Sequence, residues 1–249
     1  MDGLDLVLLV TGGLAAGVIN TLAGGGSLLT VGLLVFLGLP GTLANGTNRI
    51  GVLAQNLTSA WRFRAEGFSG FRRAFPVLIP VLAGSLVGAV AISRVTPEFF
   101  ERLFGVVMLA LLVPILRPGT PRETQSDETQ VGWSPAARTA VFFAIGLYGG
   151  AIQAGVGIFL LFALSRAGHD LVRGNAIKAV VIGALTAIAV PVFIASRQVD
   201  WPAAIALAVG FGVGGIVGVR VAVVGGERVI RPVLVVAVVA LAARMLGAL

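Results

Sequence analysis

Gly17-Val18-Ile19-Asn20-Thr21-Leu22-Ala23-Gly24-Gly25-Gly26-Ser27-Leu28-Leu29-Thr30 closes one apolar run and opens the next. The run before it covers about 4–22 and the run after it about 27–38, with three consecutive glycines between them. In lipid, an interrupted helix is tolerated only where protein or a watery cavity satisfies the freed backbone groups. The stretch therefore reads as a helix broken inside a membrane. A second copy follows in the other half of the chain. Gly13-Leu14-Ala15-Ala16-Gly17-Val18-Ile19-Asn20 matches Gly146-Leu147-Tyr148-Gly149-Gly150-Ala151-Ile152-Gln153, and Gly155-Val156-Gly157 supplies the second break. Asn45-Gly46-Thr47-Asn48 then matches Asn175-Ala176-Ile177-Lys178, and Gly84 and Gly88 match Gly214 and Gly218. The offsets are 133, 131, 130 and 130. Four matches in order at a nearly constant offset argue for an internal duplication.

Composition agrees with a membrane setting. Of 249 residues, 57% are hydrophobic, 35 are glycine and only 12% are charged. The mean hydropathy is +1.00. A soluble fold of this length does not hide so much apolar surface. Long continuous runs, near the roughly 18–20 residues that cross a bilayer, predict helices instead of a barrel. Further runs fall at about 42–61, 74–93, 99–116, 136–153, 157–165, 171–195, 202–223 and 229–248. The expected fold is thus all-α: a polytopic helical bundle of two repeats, 1–116 and 136–249, joined by a polar linker at 117–135. Trp61, Trp133 and Trp201 sit at segment ends, as interface anchors do. The acidic start, Met1-Asp2-Gly3-Leu4-Asp5, predicts no cleaved signal peptide.

The basic residues give the topology. The net charge of +7 does not predict nucleic-acid binding, because Lys and Arg cluster at the ends of apolar runs. If each glycine-broken pair of segments returns to its own side, the halves are inverted and 13 of the 18 Lys and Arg residues fall on one side. With parallel halves they divide 9 to 9. The positive-inside rule favours inversion.

What lies inside the spans limits the chemistry. There is no Cys and one His, His169, in a polar turn, so no metal site or cofactor is expected and no metal-ligand set is assigned. No Ser–His or Asp pair appears within a span, so no catalytic residue is assigned and no enzyme is expected. Every Asp and Glu lies at a terminus, a loop or a segment end. The spans instead carry amides and cations. Asn45, Asn48, Arg49, Gln55, Asn56 and Ser59 fall within an arc of about 120° on one helix, and Asn175, Lys178 and Thr186 within about 80° on its counterpart. An intramembrane cation costs on the order of 2.5–3.5 kcal/mol and normally faces a partner or a cavity; snorkelling to an interface is the alternative for Arg49 and Lys178. Bare helix N-termini at glycine breaks suit anions. A donor-rich interior predicts a small anionic ligand held by Gly24, Gly25, Gly26, Ser27, Gly155 and Gly157 through backbone N–H groups, and by Asn45, Asn48, Gln153 and Asn175 through side chains, with Arg49 and Lys178 supplying positive potential. Gly84/Gly88 and Gly214/Gly218 read as helix-packing glycines.

The glycine-rich opening, the two Asn motifs and Gly150-Ala151-Ile152-Gln153-Ala154-Gly155-Val156-Gly157 together resemble the sulfite exporter TauE/SafE family, over essentially the whole chain. The pattern departs at Gly32, where the family pattern has a proline. The resemblance implies a permease in the cell membrane for sulfite or related organosulfonates. A passive anion channel and a non-transporting assembly or lipid-handling protein remain as alternative readings. The expected partners are a small anion and the lipid bilayer; homo-oligomerisation stays open, as do the coupling ion and the direction of transport.

Overall fold

The computed structural model describes residues 2–116, 134–166 and 171–224, without the side chains of 112–116, 165, 166 and 171. Most of the expected linker, His169, Trp133 and the apolar run at 229–248 lie outside the described residues. Those described form helices and no strand: α1 (Gly3–Leu22), α2 (Gly26–Phe36), α3 (Gly41–Ala65), α4 (Phe71–Ile92), α5 (Pro97–Leu116), α6 (Pro135–Ala151), α7 (Val156–Arg166), α8 (Leu171–Ala195) and α9 (Trp201–Val224). Four of them contain stretches long and apolar enough to cross a bilayer: Gly3–Leu22, Phe71–Ile92, Val172–Ala195 and Trp201–Val224. The protein is a polytopic helical membrane protein. Large apolar side chains such as Phe75, Ile79 and Ile205 point outward, where lipid solvates them. Trp61 and Trp201 are exposed near helix ends.

Local chemistry sets the helix ends. Asp2 and Asp5 form a capping box at the start of α1. Ser134 caps α6, with Pro135 in the first turn. Glu101 of α5 accepts the Gly41 N–H at 2.9 Å, placing a carboxylate at the N-terminus of α3. The main boundary shift is in α3, which continues to Ala65 beyond the apolar run: Arg62 and Glu66 pair one turn apart, and Arg62 and Arg64 occupy the last turn, where the helix dipole favours cations.

Glycines fix the pairing and direction of the helices. Gly13 lies against the backbone of Leu207 to Phe211, Gly17 against Phe211 and Gly214, and Gly218 against Val18 and Thr21, so α1 and α9 run parallel. Gly84 meets Phe143 and Leu147, and Gly88 meets Leu147 and Ala151, so α4 and α6 also run parallel. Gly51 faces Leu207 and Phe211 while Gly215 faces Gln55 and Ser59, which makes α3 parallel to α9. Gly46 touches Phe193 and Gly183 faces Asn56, so α3 and α8 cross antiparallel at the centre. Ser85 donates to the Leu185 carbonyl at 2.8 Å where α4 packs on α8. The pairs α1–α9, α3–α9 and α1–α2 in one part of the bundle have α6–α4, α8–α4 and α6–α7 in the other.

This packing separates two glycines only two residues apart. A methyl group on Gly214 would meet the Leu14 carbonyl and stand 3.0 Å from Gly17 Cα, whereas at Gly212 the nearest atom is 3.8 Å away. Gly214→Ala is expected to destabilise by about 1–3 kcal/mol through overpacking. Gly212→Ala is expected to be neutral or up to about 1 kcal/mol stabilising, through helix propensity. Thermal unfolding in detergent separates them; equal midpoints would refute the close α1–α9 contact.

Candidate functional site: two helix breaks and two buried cations

At the first break, α1 ends at Leu22 and Gly24 takes φ +81°, with its N–H donating to the Asn20 carbonyl at 3.0 Å. At the second, Gln153 and Gly155 take φ +67° and +71° before α7 begins. Positive φ is natural for glycine but strained for Gln153, so its side chain has a use that glycine would not serve. The two breaks touch. A Cβ on Gly24 would stand 2.6 Å from Gly157 Cα, and one on Gly157 would stand 2.7 Å from Gly24 Cα. Backbone contact this close leaves no space for an anion between these two glycines in this conformation. Gly26 packs on Ala16 and Asn20, Gly25 forms the N-cap of α2 with no side-chain hydrogen bond, and Ser27 is buried.

A helix that stops within the bundle leaves its last carbonyls without intrahelical donors, and lipid supplies none. The two cations meet that need, each from the other half of the chain. Arg49 of α3 is 0% exposed. Its guanidinium donates to the carbonyls of Gly149 (3.1 Å), Gly150 (2.6 Å) and Ala151 (3.1 Å) and to Gln153 Oε1 (2.7 Å), closing the end of α6. Phe193 lies 4.4 Å from the guanidinium carbon on the ring face. Lys178 of α8 donates to the carbonyls of Asn20 (3.0 Å) and Thr21 (2.8 Å), closing the end of α1. Positive charge at a helix C-terminus is favoured by the dipole. Neither cation snorkels, because both reach acceptors inside the protein.

Amides and hydroxyls extend these contacts. Asn45 Nδ2 donates to the Ala151 carbonyl (2.9 Å), an acceptor it shares with Arg49, and Thr30 donates to Asn48 Oδ1 (2.5 Å). Gln153 Nε2 donates to Thr186 (2.9 Å). Nearer the first break, Asn20 donates to Gln55 Oε1 (2.7 Å), and Gln55 Nε2 donates to Thr21 (2.9 Å) and Ser59 (3.1 Å).

The expected single cradle is therefore arranged as two clusters. Asn45, Asn48, Arg49 and Gln153 gather at the end of α6, while Lys178 gathers with Asn20 and Thr21 at the end of α1. Asn45 and Asn175 match in sequence, but α3 and α8 cross antiparallel. Gly46 abuts Phe193, which lies about 27 Å along α8 from Asn175 at helical rise. Sequence reasoning left Asn20, Thr21, Thr30 and Phe193 out of the site. The match of Asn20 with Gln153 was the available signal for the first of these.

A cavity of about 170 Å³, lined by Gly67, Phe68, Ser69, Arg73, Arg173 and Ala176, opens between the α3–α4 turn and the start of α8. It lies close in sequence to Asn175 and Lys178, and two arginines make its wall positive.

Among known proteins, the family model described as "Sulfite exporter TauE/SafE" matches residues 9–245. A "Probable membrane transporter protein" of Haemophilus influenzae is 26% identical, over 98% of this chain and 95% of that protein. A "Probable membrane transporter protein ORF9" of a Sinorhizobium species is 25% identical, over 97% and 92%. The "Probable membrane transporter protein YfcA" of Escherichia coli K12 is 22% identical, over 93% and 86%. No solved structure matches. The broken helices and their buried cations are thus parts of a multi-pass membrane transporter, not an enzyme, and the chain belongs to the sulfite exporter TauE/SafE family.

Proposed function

We propose that this transporter exports a small sulfur-containing oxyanion, such as sulfite or an organosulfonate, by alternating access, with the anion bound near the midplane beside the two helix breaks. One observation carries the reading. Two cations, Arg49 and Lys178, are wholly buried, and no Asp or Glu among the described residues is buried with them. Helix-end carbonyls hold these cations in place but bring no full negative charge, so the core favours an anion over a cation. Gly24, Gly25, Gly26, Ser27, Asn45, Asn48, Gln153, Gly155, Gly157 and Asn175 are the proposed binding residues around them. The two halves, 1–116 and 136–249, are proposed to be inverted repeats. The opposite directions of α3 and α8 support this, as does the matching of partners between the halves. The contact of Gly24 with Gly157 favours a carrier with a closed core over an open channel.

The test is a thermal-stability screen of purified protein against sulfite, sulfate, thiosulfate, sulfoacetate and taurine, with uptake into proteoliposomes for each anion that stabilises. Stabilisation by at least one sulfur oxyanion together with saturable counterflow is expected. Lys178→Ala removes charge-assisted bonds worth about 1.5–3 kcal/mol each and is expected to weaken uptake at least tenfold while the protein remains folded. No anion-dependent shift in the wild type, or unchanged uptake in the variant, would defeat this assignment.

A further inference from the structure

The cluster on α3 is incompletely paired. Asn45, Asn48 and Arg49 share one helical face and are each 1% exposed or less. Each has a partnered and an unpartnered part. Asn45 Nδ2 and the terminal nitrogens of Arg49 bond carbonyls, and Asn48 Oδ1 accepts from Thr30. Asn45 Oδ1, Asn48 Nδ2 and Arg49 Nε have no partner. The free set is thus two donor nitrogens, which carry three N–H bonds, and one carbonyl acceptor. They do not satisfy one another, although the two asparagines and the arginine lie within a single turn. Buried polar groups without partners are costly, and three of them on one helical face point to a ligand. The other half repeats the pairing of amide oxygen with cation: Asn175 Oδ1 is also unpartnered, three residues before Lys178.

We propose that this cluster selects an oxyanion that carries its own hydrogen, a monoanion of the type HXO3⁻ such as hydrogen sulfite, in preference to the fully deprotonated dianion. Asn48 Nδ2 and Arg49 Nε donate to the ligand's oxygens, and Asn45 Oδ1 accepts its hydrogen. Charge agrees with this stoichiometry. The cluster has one cation and no buried carboxylate among the described residues, so one negative charge balances it and a second does not. Water could also give and accept hydrogen bonds here, but it would leave the guanidinium charge unbalanced. The proposal rests on the anion-transport reading above and adds the protonation state of the cargo and a residue that reads it.

The experiment compares sulfite with methanesulfonate, a monoanion of similar head shape with no ionisable hydrogen, on the purified full-length protein. Binding is followed by thermal shift and titration on both sides of sulfite's second ionisation. The charged and titratable groups on the segments packed around α3 include Glu98, Glu101 and Arg102 of α5, Arg138 and Tyr148 of α6, Arg173 and Lys178 of α8, Arg220 of α9, and Arg197 and Asp200 of the α8–α9 turn. Methanesulfonate over the same pH range reports their contribution. Sulfite affinity, corrected by that control, is expected to fall about tenfold per pH unit above the ionisation, the slope of one required proton. Asn45→Ala is expected to weaken hydrogen-sulfite binding about five- to tenfold, by loss of one hydrogen bond, and to weaken methanesulfonate binding less, because that anion has no hydrogen for Oδ1 to accept; an equal loss for both anions would overturn the role of Asn45. Sulfite binding that is flat with pH or that strengthens with deprotonation overturns the proposal while leaving anion transport intact. Failure of both anions to bind at any pH defeats the anion reading itself. If Asn45→Ala does not fold, the wild-type pH profile still decides between these outcomes.

Discussion

Replacing Arg49 with methionine is expected to abolish transport and to destabilise the purified protein by about 3–5 kcal/mol. Methionine keeps the apolar stem of arginine but ends where Nε stands, so the guanidinium's stacking on Phe193 is lost together with its hydrogen bonds. The Ala151 carbonyl keeps Asn45 Nδ2 as a donor, but the carbonyls of Gly149 and Gly150 and Gln153 Oε1 lose theirs together. Water does not reach a site that is 0% exposed, so those acceptors stay unsatisfied. Arg49→Lys should be intermediate. An ammonium has three donors but no planar fork, and Lys178 shows what it achieves at the other break, where it holds two carbonyls. Unfolding in detergent and proteoliposome uptake, measured on both variants, test the assignment. A methionine variant with wild-type stability would mean that α6 does not depend on this cation for its end.

The reason sequence alone does not reveal this role is physical. The spans were legible because a membrane helix must be apolar over a fixed length, and α1, α2 and α6 to α9 begin and end within about two residues of the expected limits. The polar face of α3 was legible too, because amides at helical spacing in an apolar chain are conspicuous. The partners of Arg49 and Lys178 were hidden, since they are backbone carbonyls, which every residue has and no residue type marks. A cation in the middle of an apolar run reads equally as a ligand-facing charge, a snorkelling charge or a cap. Only the termination of α6 beside α3 decides between them. The same limit applies to the two clusters: Asn45-Gly46-Thr47-Asn48 and Asn175-Ala176-Ile177-Lys178 look like two walls of one pocket until the antiparallel crossing of α3 and α8 sets them apart.

Gly24→Ala is expected to cost about 2–5 kcal/mol from two separate sources and to stop transport. The first source is conformational: φ +81° is a left-handed value that costs a residue with a Cβ about 1–2 kcal/mol. The second is steric. The methyl group would stand 2.6 Å from Gly157 Cα and 2.9 Å from the Ile158 nitrogen, and both are backbone atoms that no rotamer change can move aside; forcing them apart costs about 1–3 kcal/mol more. Gly38→Ala isolates the first source, because Gly38 takes φ +94° with no atom within 4 Å of the added Cβ. It should lose about 1–2 kcal/mol and transport normally. The difference between the two variants measures the contact between the breaks. That contact lies where the two halves of the chain meet, and a carrier that alternates by moving one half against the other must alter it in every cycle. A wedge there is thus expected to impair turnover more than a stability loss of the same size elsewhere. Equal unfolding midpoints and equal uptake for Gly24→Ala and Gly38→Ala would show that the breaks neither touch nor move against each other during transport.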